Sequence, residues 1–311
     1  MSKKYPSVNA IIINWENYED TSNCIKSLKE SSYRNFDITV VDNGSTDESL
    51  KKLRVRFPDV NFIGVDSNKG FGAAVNRAVE PVKNYSYDYT WVLNNDVIFP
   101  DQNLLTNLVQ DAEENTKIGI ITPKVLHYPE INKVWFIKGQ INWNIGYPYH
   151  QSESQHLFDI FRSNENYSED ILQNDYIPFC SALIRTDVFR EVGGIPEDYF
   201  LYFEDVEYCC RVSEAGFEVK TSQKSIIYHR ESSSSAGARK TIPSYYMARN
   251  RWHFYRDNDD KIGLLFYMFS LIWILLNILD RAHKKEWMSI IALLLGSYDG
   301  ILGVRYRGRY P

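Results

Sequence analysis

The chain has 311 residues, 44% hydrophobic and 24% charged, enough apolar material for one large globular domain or a domain with an appendage. A formal net charge of −5 excludes a general nucleic-acid binder, which gathers Lys and Arg to neutralise phosphates. Cys24, Cys180, Cys209 and Cys210 have neither metal-ligand spacing nor the pattern of a disulfide framework, which suits a reducing compartment. The start, MSKKYPSV, reaches Pro6 with no apolar stretch, so a cytoplasmic protein without a signal peptide is expected.

Between residues 8 and 93 short apolar runs alternate with amphipathic segments. They are VNAIII (8–13), a helix from about Asp20 to Ser31, DITVVD (37–42), a helix from about Thr46, VNFIGV (60–65), a helix from Gly70, and YTWVL (89–93). Continuous apolar runs between helices predict an α/β fold whose parallel sheet is covered on both faces. Such sheets take ligands where strand C-termini meet loops. The polar groups gather there: Asn14, Trp15 and Glu16 after the first run, Asp42 and Asn43 after the second, Asp66, Asn68 and Lys69 after the third, and Asn94, Asn95 and Asp96 after the fourth. Ser45 to Glu48 has capping-box spacing with Ser45 as N-cap. Gly70 and Gly72 put small residues at a helix start, suited to a phosphate or to tight packing.

Residues 125–180 are aromatic and polar without a clear period, and read as loops and irregular strands over the sheet, where a second substrate is usually selected. Glu204 to Ala215 suits a helix with Val206, Cys209 and Cys210 on its apolar side and Gly216 as the stop. From Ile262 to Leu279 no charge interrupts the apolar run, at the lower limit for spanning a bilayer. A second, shorter apolar stretch is broken by Ser297, Asp299 and Gly300, and from Lys261 onward seven Lys/Arg face three Asp/Glu. Apolar stretches flanked by Lys284, Lys285, Arg305 and Arg307 suit an anchor lying in the interface of an anionic leaflet. An oligomer interface and a true span are the alternatives.

The pieces INWENYEDTSNCIKSL, VVDNGSTDESL, NKGFGAAVNRA, WVLNNDVIFP, FLYFEDVEYCCRVSEAGF, IIYH and ARNRWHFYR run in order from residue 13 to residue 256. Together they make the chain resemble the family-2 inverting glycosyltransferases of the GT-A fold, particularly the rhamnosyltransferases of bacterial polysaccharide assembly. The resemblance implies a Rossmann-like, mostly parallel sheet with helices on both faces. In this reading residues 1–260 form the catalytic domain, with 1–125 holding the nucleotide sugar and 126–260 the acceptor and the base, and 261–311 add apolar helices. The implied reaction is inverting transfer of a hexose or deoxyhexose, L-rhamnose first among them, from a UDP- or dTDP-sugar to a lipid-linked or polysaccharide glycan. The implied place is the inner face of the cell membrane, with homo-oligomerisation open.

A divalent cation, Mn2+ or Mg2+, would stabilise the departing diphosphate as a Lewis acid. Asp96 matches the family's metal-binding aspartate, and His229 the histidine that joins the metal or the diphosphate. Asn94 stands where relatives carry a first acidic residue, which lowers the site's charge. Asp205 matches the base that takes the acceptor's proton from within hydrogen-bond reach, with Glu204 beside it in the first helical turn. Asp42 would accept the N3–H of uracil or thymine, bordered by Asn14, Trp15 and Glu16. Asn68, Lys69, Asn94 and Asn95 would line the donor, and Arg249 and Arg251 would pair with phosphate oxygens. The small-residue stretch 231–240 suits a lid. Each motif also has a plainer reading: a turn for NND, helix-dipole charges for the acidic pair, a packed side chain for His229. Two rivals are a nucleotidyltransferase of sugar metabolism, which would carry a Gly-rich basic loop where INWENYEDT stands, and a non-catalytic sugar-nucleotide scaffold, which would have lost Asp96 or Asp205.

Overall fold

A computed structural model describes residues 5–80, 87–151, 170–230 and 240–310. The first apolar run is β1 (Val8–Asn14), followed by α1 (Tyr18–Lys29), whose N-terminus is capped by the Asn17 side chain accepting from the Asp20 amide. Next come β2 (Phe36–Asp42), α2 (Ser49–Arg56), β3 (Asn61–Gly64), α3 (Phe71–Val79) and β4 (Tyr89–Asn94). These four strands lie in the order β3-β2-β1-β4, all parallel. Alternation along the strands serves two faces. Ile12 and Val40 join Ile25, Leu28 and Leu53 in the main core, whereas Ile11 and Val41 pack with Ala74 and Ala78 of α3 in a second cluster. Strand order reverses at β1 and β4, which opens a crevice beyond their C-terminal ends.

The chain then adds β5 (Val97–Ile98), α4 (Leu104–Glu114), β6 (Ile118–His127), β7 (Val134–Phe136), a two-stranded β8 (Lys138–Asn142) and β9 (Tyr147–Gln151), β10 (Ile171–Gln173), β11 (Ser181–Arg185), α5 (Thr186–Glu191), α6 (Glu204–Glu214) and β12 (Glu218–His229). The sheet extends from β4 through antiparallel β11 to β6, β12 and β10. Trp91, fully buried, bridges β4 and β11 through its ring N–H to the Ser181 hydroxyl at 3.0 Å. Two expectations change here. The 125–180 region carries regular strands, including the end of β6. Ser45 does not cap α2, which starts at Ser49 without a side-chain cap, because its hydroxyl oxygen accepts from the Glu16 amide at 2.8 Å while its hydrogen goes to Asp42 at 2.6 Å. The expected lid at 231–239 lies outside the described residues.

Helices α7 (Thr241–Asp257), α8 (Leu265–His283) and α9 (Trp287–Leu302) form a C-terminal layer. The expected boundary at 260 falls between α7 and α8, but the segment beyond it packs directly on α7. At Gly296 and Gly300 of α9 a Cβ would collide with the carbonyls of Tyr245 and Arg249. After Gly303, in the left-handed region at φ 80°, the tail turns back: the Tyr306 amide donates to the Asp198 carbonyl at 2.6 Å. Arg305, expected at a lipid surface, instead pairs with Asp198 and Asp257. Their opposite charges hold it well above the usual guanidinium range, chiefly through the bond to Asp257. Helix α8 is long and apolar enough to cross a membrane, and 17% of its apolar window is buried.

Candidate active site

The donor side is built from the ends of β1 to β3. Asn14 and Asp42 sit opposite each other in register. Asn14 is fully buried, donating to Asp42 Oδ1 at 2.6 Å and accepting from the Thr21 hydroxyl at 2.7 Å. It therefore lies behind Asp42 and orients it. Asp42 also accepts from the Ser45 amide at 3.1 Å and hydroxyl at 2.6 Å; a carboxylate offers about four lone-pair sites, so acceptor capacity remains. Trp15 and Glu16 are exposed on the rim. Glu16, at φ 50°, is fixed by its amide donating to Ser45 Oγ at 2.8 Å and its carboxylate accepting from Thr46 at 2.8 Å. Asn43 links the β3 side, donating to Asn68 at 3.1 Å and accepting from the Lys69 amide at 3.2 Å, and leaves the Lys69 side chain exposed.

The centre is set by β4, β5 and β12. The chain leaves β4 at Asn94, turns through Asn95 and Asp96, and rejoins the sheet at β5, where Val97 pairs with His229. That register puts Asp96 beside His229. Their Oδ1 and Nε2 are 3.2 Å apart, yet neither has an aligned hydrogen bond, and the other ring nitrogen of His229 has none either. Trp135 packs edge-on against the imidazole at 4.8 Å. Asn95 is tied to Thr21 at 2.9 Å. Two nearly buried, unpartnered donors suited to a cation fit a metal site. Among the described residues no third His, Cys, Asp or Glu joins them, so other ligands would be diphosphate oxygens and water. Arg230, which the sequence reading passed over, approaches from β12: its amide donates to the Asp96 carbonyl at 3.0 Å and its side chain pairs with Asp20 at 3.3 Å. Its adjacency to His229 was the available signal.

The candidate catalytic side is the start of α6. Asp205 accepts from the Val206 amide at 2.8 Å, and the Phe179 amide also favours its charged form. Burial pushes both Glu204 and Asp205 up from the carboxylate range, and Asp205's charge pushes Glu204 further. As neighbouring buried carboxyls the two resist carrying two charges at once. Cys180 locates the two halves: Asp96 and Asp205 both raise its buried thiol after burial itself, and its carbonyl accepts from the Asn94 amide at 3.0 Å. Phe179 and Cys180, adjacent in the chain, therefore connect the two clusters: the Phe179 amide bonds Asp205, and the Cys180 carbonyl holds Asn94, two residues before Asp96. The loop before α6 holds Phe200, Tyr202 and Phe203 at φ 65°, 67° and 72°, a conformation costing such residues on the order of 1–3 kcal/mol each.

Arg249 and Arg251, expected to pair with phosphate oxygens, are instead engaged within the protein. Arg249, fully buried, donates to the carbonyls of Tyr306 at 2.6 Å and Tyr199 at 2.7 Å. Arg251 sits among Tyr147, Phe266, Phe269 and Trp273, the last at 4.8 Å, where desolvation lowers it to about 10. A guanidinium suits stacked rings and carbonyls as well as phosphate, and here the packing of α7 decides.

A family model for glycosyl transferase family 2 matches residues 10–193. The dTDP-rhamnosyl transferase RfbF of Shigella flexneri is 26% identical, with 98% of each chain covered. The N-acetylglucosaminyl-diphospho-decaprenol L-rhamnosyltransferase of Mycobacterium tuberculosis is 24% identical over 68% of this chain and 72% of its own. Among solved structures, a mannosyltransferase from Pyrobaculum calidifontis, in complex with GDP-Man and Mn2+, aligns with a TM-score of 0.60 over 97% of this chain and 88% of its own, at 13% identity, which carries the GT-A fold. With the sheet, its switch-point crevice and the matched model in agreement, the chain belongs to glycosyl transferase family 2.

Proposed function

We propose that the protein transfers a hexose or deoxyhexose, L-rhamnose first among them, from a UDP- or dTDP-sugar to a lipid-linked or polysaccharide glycan, with inversion. The observation that carries this reading is that the Asp96–His229 pair and the Glu204–Asp205 pair meet at one short piece of backbone, Phe179–Cys180. Asp205 takes the acceptor hydroxyl's proton as that oxygen bonds to the anomeric carbon. The bond from that carbon to the diphosphate oxygen breaks, and the nucleoside diphosphate leaves with the electron pair. Attack from the side opposite the leaving group inverts the centre. Glu204 beside Asp205, resisting ionisation in the same burial, favours a single charge on the pair. Asp96 and His229 would hold a divalent cation, Mn2+ or Mg2+, which when bound stabilises diphosphate charge. Arg230 adds positive charge at the same edge. The rhamnosyltransferase relatives favour the sugar, and the remaining acceptor capacity of Asp42 favours a base with an N3–H.

The outward stripes of α8 and α9 are read as seated in the interface of the cytoplasmic leaflet, where a lipid-linked acceptor would be within reach. Leu264, Met268, Leu271, Leu275 and Leu279 are exposed at helical spacing on α8 and just before it, as are Trp287, Ile291, Leu294, Tyr298 and Ile301 on α9. Phe266, Ser270 and Trp273 are buried on the other side of α8, so a true span would have to strip that face from the domain.

Thermal melting of the full chain with UDP-, dTDP-, GDP- and ADP-sugars, each with Mn2+ or with EDTA, tests the donor reading. A ligand that binds the native state raises the melting point by mass action. dTDP-L-rhamnose with Mn2+ is expected to shift it most. Stabilisation by a GDP- or ADP-sugar alone would reject the role given to Asp42.

A further inference from the structure

We infer that Asn250, oriented by Arg249, is a positioning residue that holds the Asp205 loop in its catalytic shape; the inference rests on Asp205 being the base. The segment from Tyr199 to Phe203 leads directly into α6 and carries three aromatic residues in the left-handed region, at φ 65°, 67° and 72°. Such residues rarely adopt it, so contacts from outside the loop must fix it. Backbone carbonyls turned inward there need donors. The side-chain amide of Asn250, fully buried on α7, donates to the carbonyls of Tyr199 at 3.0 Å, Leu201 at 2.8 Å and Tyr202 at 2.7 Å. The two amide hydrogens are shared among three acceptors. Arg249 Nε donates to Asn250 Oδ1 at 2.9 Å, which fixes the amide end facing the loop, and Arg249 Nη2 adds a second bond to the Tyr199 carbonyl.

The Phe203 carbonyl accepts from the Glu207 amide of α6 at 2.9 Å, and the Phe200 carbonyl points the other way. Phe200's oxygen accepts from the Phe71 amide at 2.8 Å, at the start of α3, and Gly70 beside it has no room for a Cβ against that carbonyl. Asn68 and Lys69 immediately precede it. One short turn is therefore gripped by α7 on one side and docked on the donor loop on the other, with Glu204 and Asp205 following it. A base must lie within hydrogen-bond reach of its proton, and a displacement of about 1 Å can cost roughly 100-fold in rate.

The test uses the full chain with dTDP-L-rhamnose turnover, and with dTDP plus Mn2+ as the binding probe. Asn250→Ala is expected to lower kcat by about 100-fold, to leave dTDP affinity unchanged, and to speed amide exchange at 199–206 while β1 and β4 stay protected. Asn250→Ser, which keeps one donor, is expected to fold at least as well and to fall between Ala and wild type. Asn250→Asp, of the same shape but without the donors, should be no better than Ala. In an Asp205→Asn background Asn250→Ala should add no further loss, because a residue acting through the base has nothing left to position. Unchanged kcat, a matching fall in dTDP affinity, or a full additional loss in that background would overturn the inference. An Asp205→Asn variant as active as wild type would instead sink the base assignment, whatever Asn250→Ala does.

Discussion

At the sheet edge, polar atoms are buried without partners: Asp96 Oδ1, both ring nitrogens of His229 and Glu204 Oε2. In the C-terminal layer, apolar side chains are left outside, with Leu264 82% and Leu271 70% exposed. In the layer's interior Asp299 Oδ2 accepts from the Tyr245 hydroxyl at 2.6 Å, and its Oδ1 lies 2.9 Å from Arg309 without an aligned hydrogen bond. Arg251 Nη1 has no partner but faces aromatic rings. An unpaired buried polar group costs about 1–3 kcal/mol, and leaving a large apolar side chain in water forgoes about 1.5–3 kcal/mol. Folding alone satisfies neither region. The sheet edge lacks what an anion and a cation would bring, and the helical layer lacks an apolar neighbour.

If the sheet-edge atoms exist for chemistry, the largest effects belong there. Asp205→Asn should lower kcat by roughly 10²–10⁴-fold while dTDP with Mn2+ still binds, as read by isothermal titration. Turnover near wild type would move the base, with Glu204 next in line. Asp96→Ala should act differently, lowering Mn2+-dependent nucleotide binding and turnover together. A wild-type protein equally active in excess EDTA would return Asp96 to the status of a turn residue.

The helical layer should respond to lipid and not to nucleotide. Leu271→Glu combined with Leu275→Glu puts two charges on the outward stripe and should abolish flotation with vesicles containing phosphatidylglycerol, leaving dTDP affinity unchanged. Lys284 and Lys285 should each add about 1 kcal/mol at an anionic surface, weakening with salt. Because Arg305 is engaged inside the protein, high salt should release only part of the bound protein. Full-length chain that ignores vesicles and halves its mass on this substitution would make the stripe an oligomer interface. Resistance of the wild type to carbonate extraction from native membranes would make α8 a span.

The two regions differ as much in how far the sequence revealed them. Strand-end residues such as Asp42 and Asp96 are legible because an apolar run ends abruptly in polar residues, and α6 begins at Glu204 where the acidic pair stands. The layer misleads for a physical reason. Arg249, Arg251 and Arg305 carry chemistry that suits phosphates and lipid headgroups, and their actual neighbours lie far away in sequence: Tyr199 for Arg249, Tyr147 for Arg251, Asp198 for Arg305. Asn250 gave no local signal, since its three acceptors belong to a loop about fifty residues upstream. Ser45 misleads in the same way: its spacing fits a cap, but its oxygen accepts from the Glu16 amide, 29 residues upstream.

The smallest expected effect separates burial from catalysis within the acidic pair itself. Glu204 is 6% exposed with Oε2 unpartnered, and its carboxyl is raised first by burial and then by Asp205. A raised native value means that the folded protein holds a proton which the unfolded chain, titrating near 4.3, has already released. Below that value both states are protonated and nothing is lost. As pH rises from there to the native value only the unfolded chain has ionised and stability falls, and above it both states are ionised and the loss is complete. Glu204→Gln removes this ionisation, so the variant should melt at the wild-type temperature near pH 4 and above it at pH 8–9. A gain of about 1 kcal/mol corresponds to roughly 2–4 °C in a chain of this size class. Equal melting temperatures at both pH values would mean that Glu204 is solvated in solution, and would take with it the picture of a buried pair that resists a second charge.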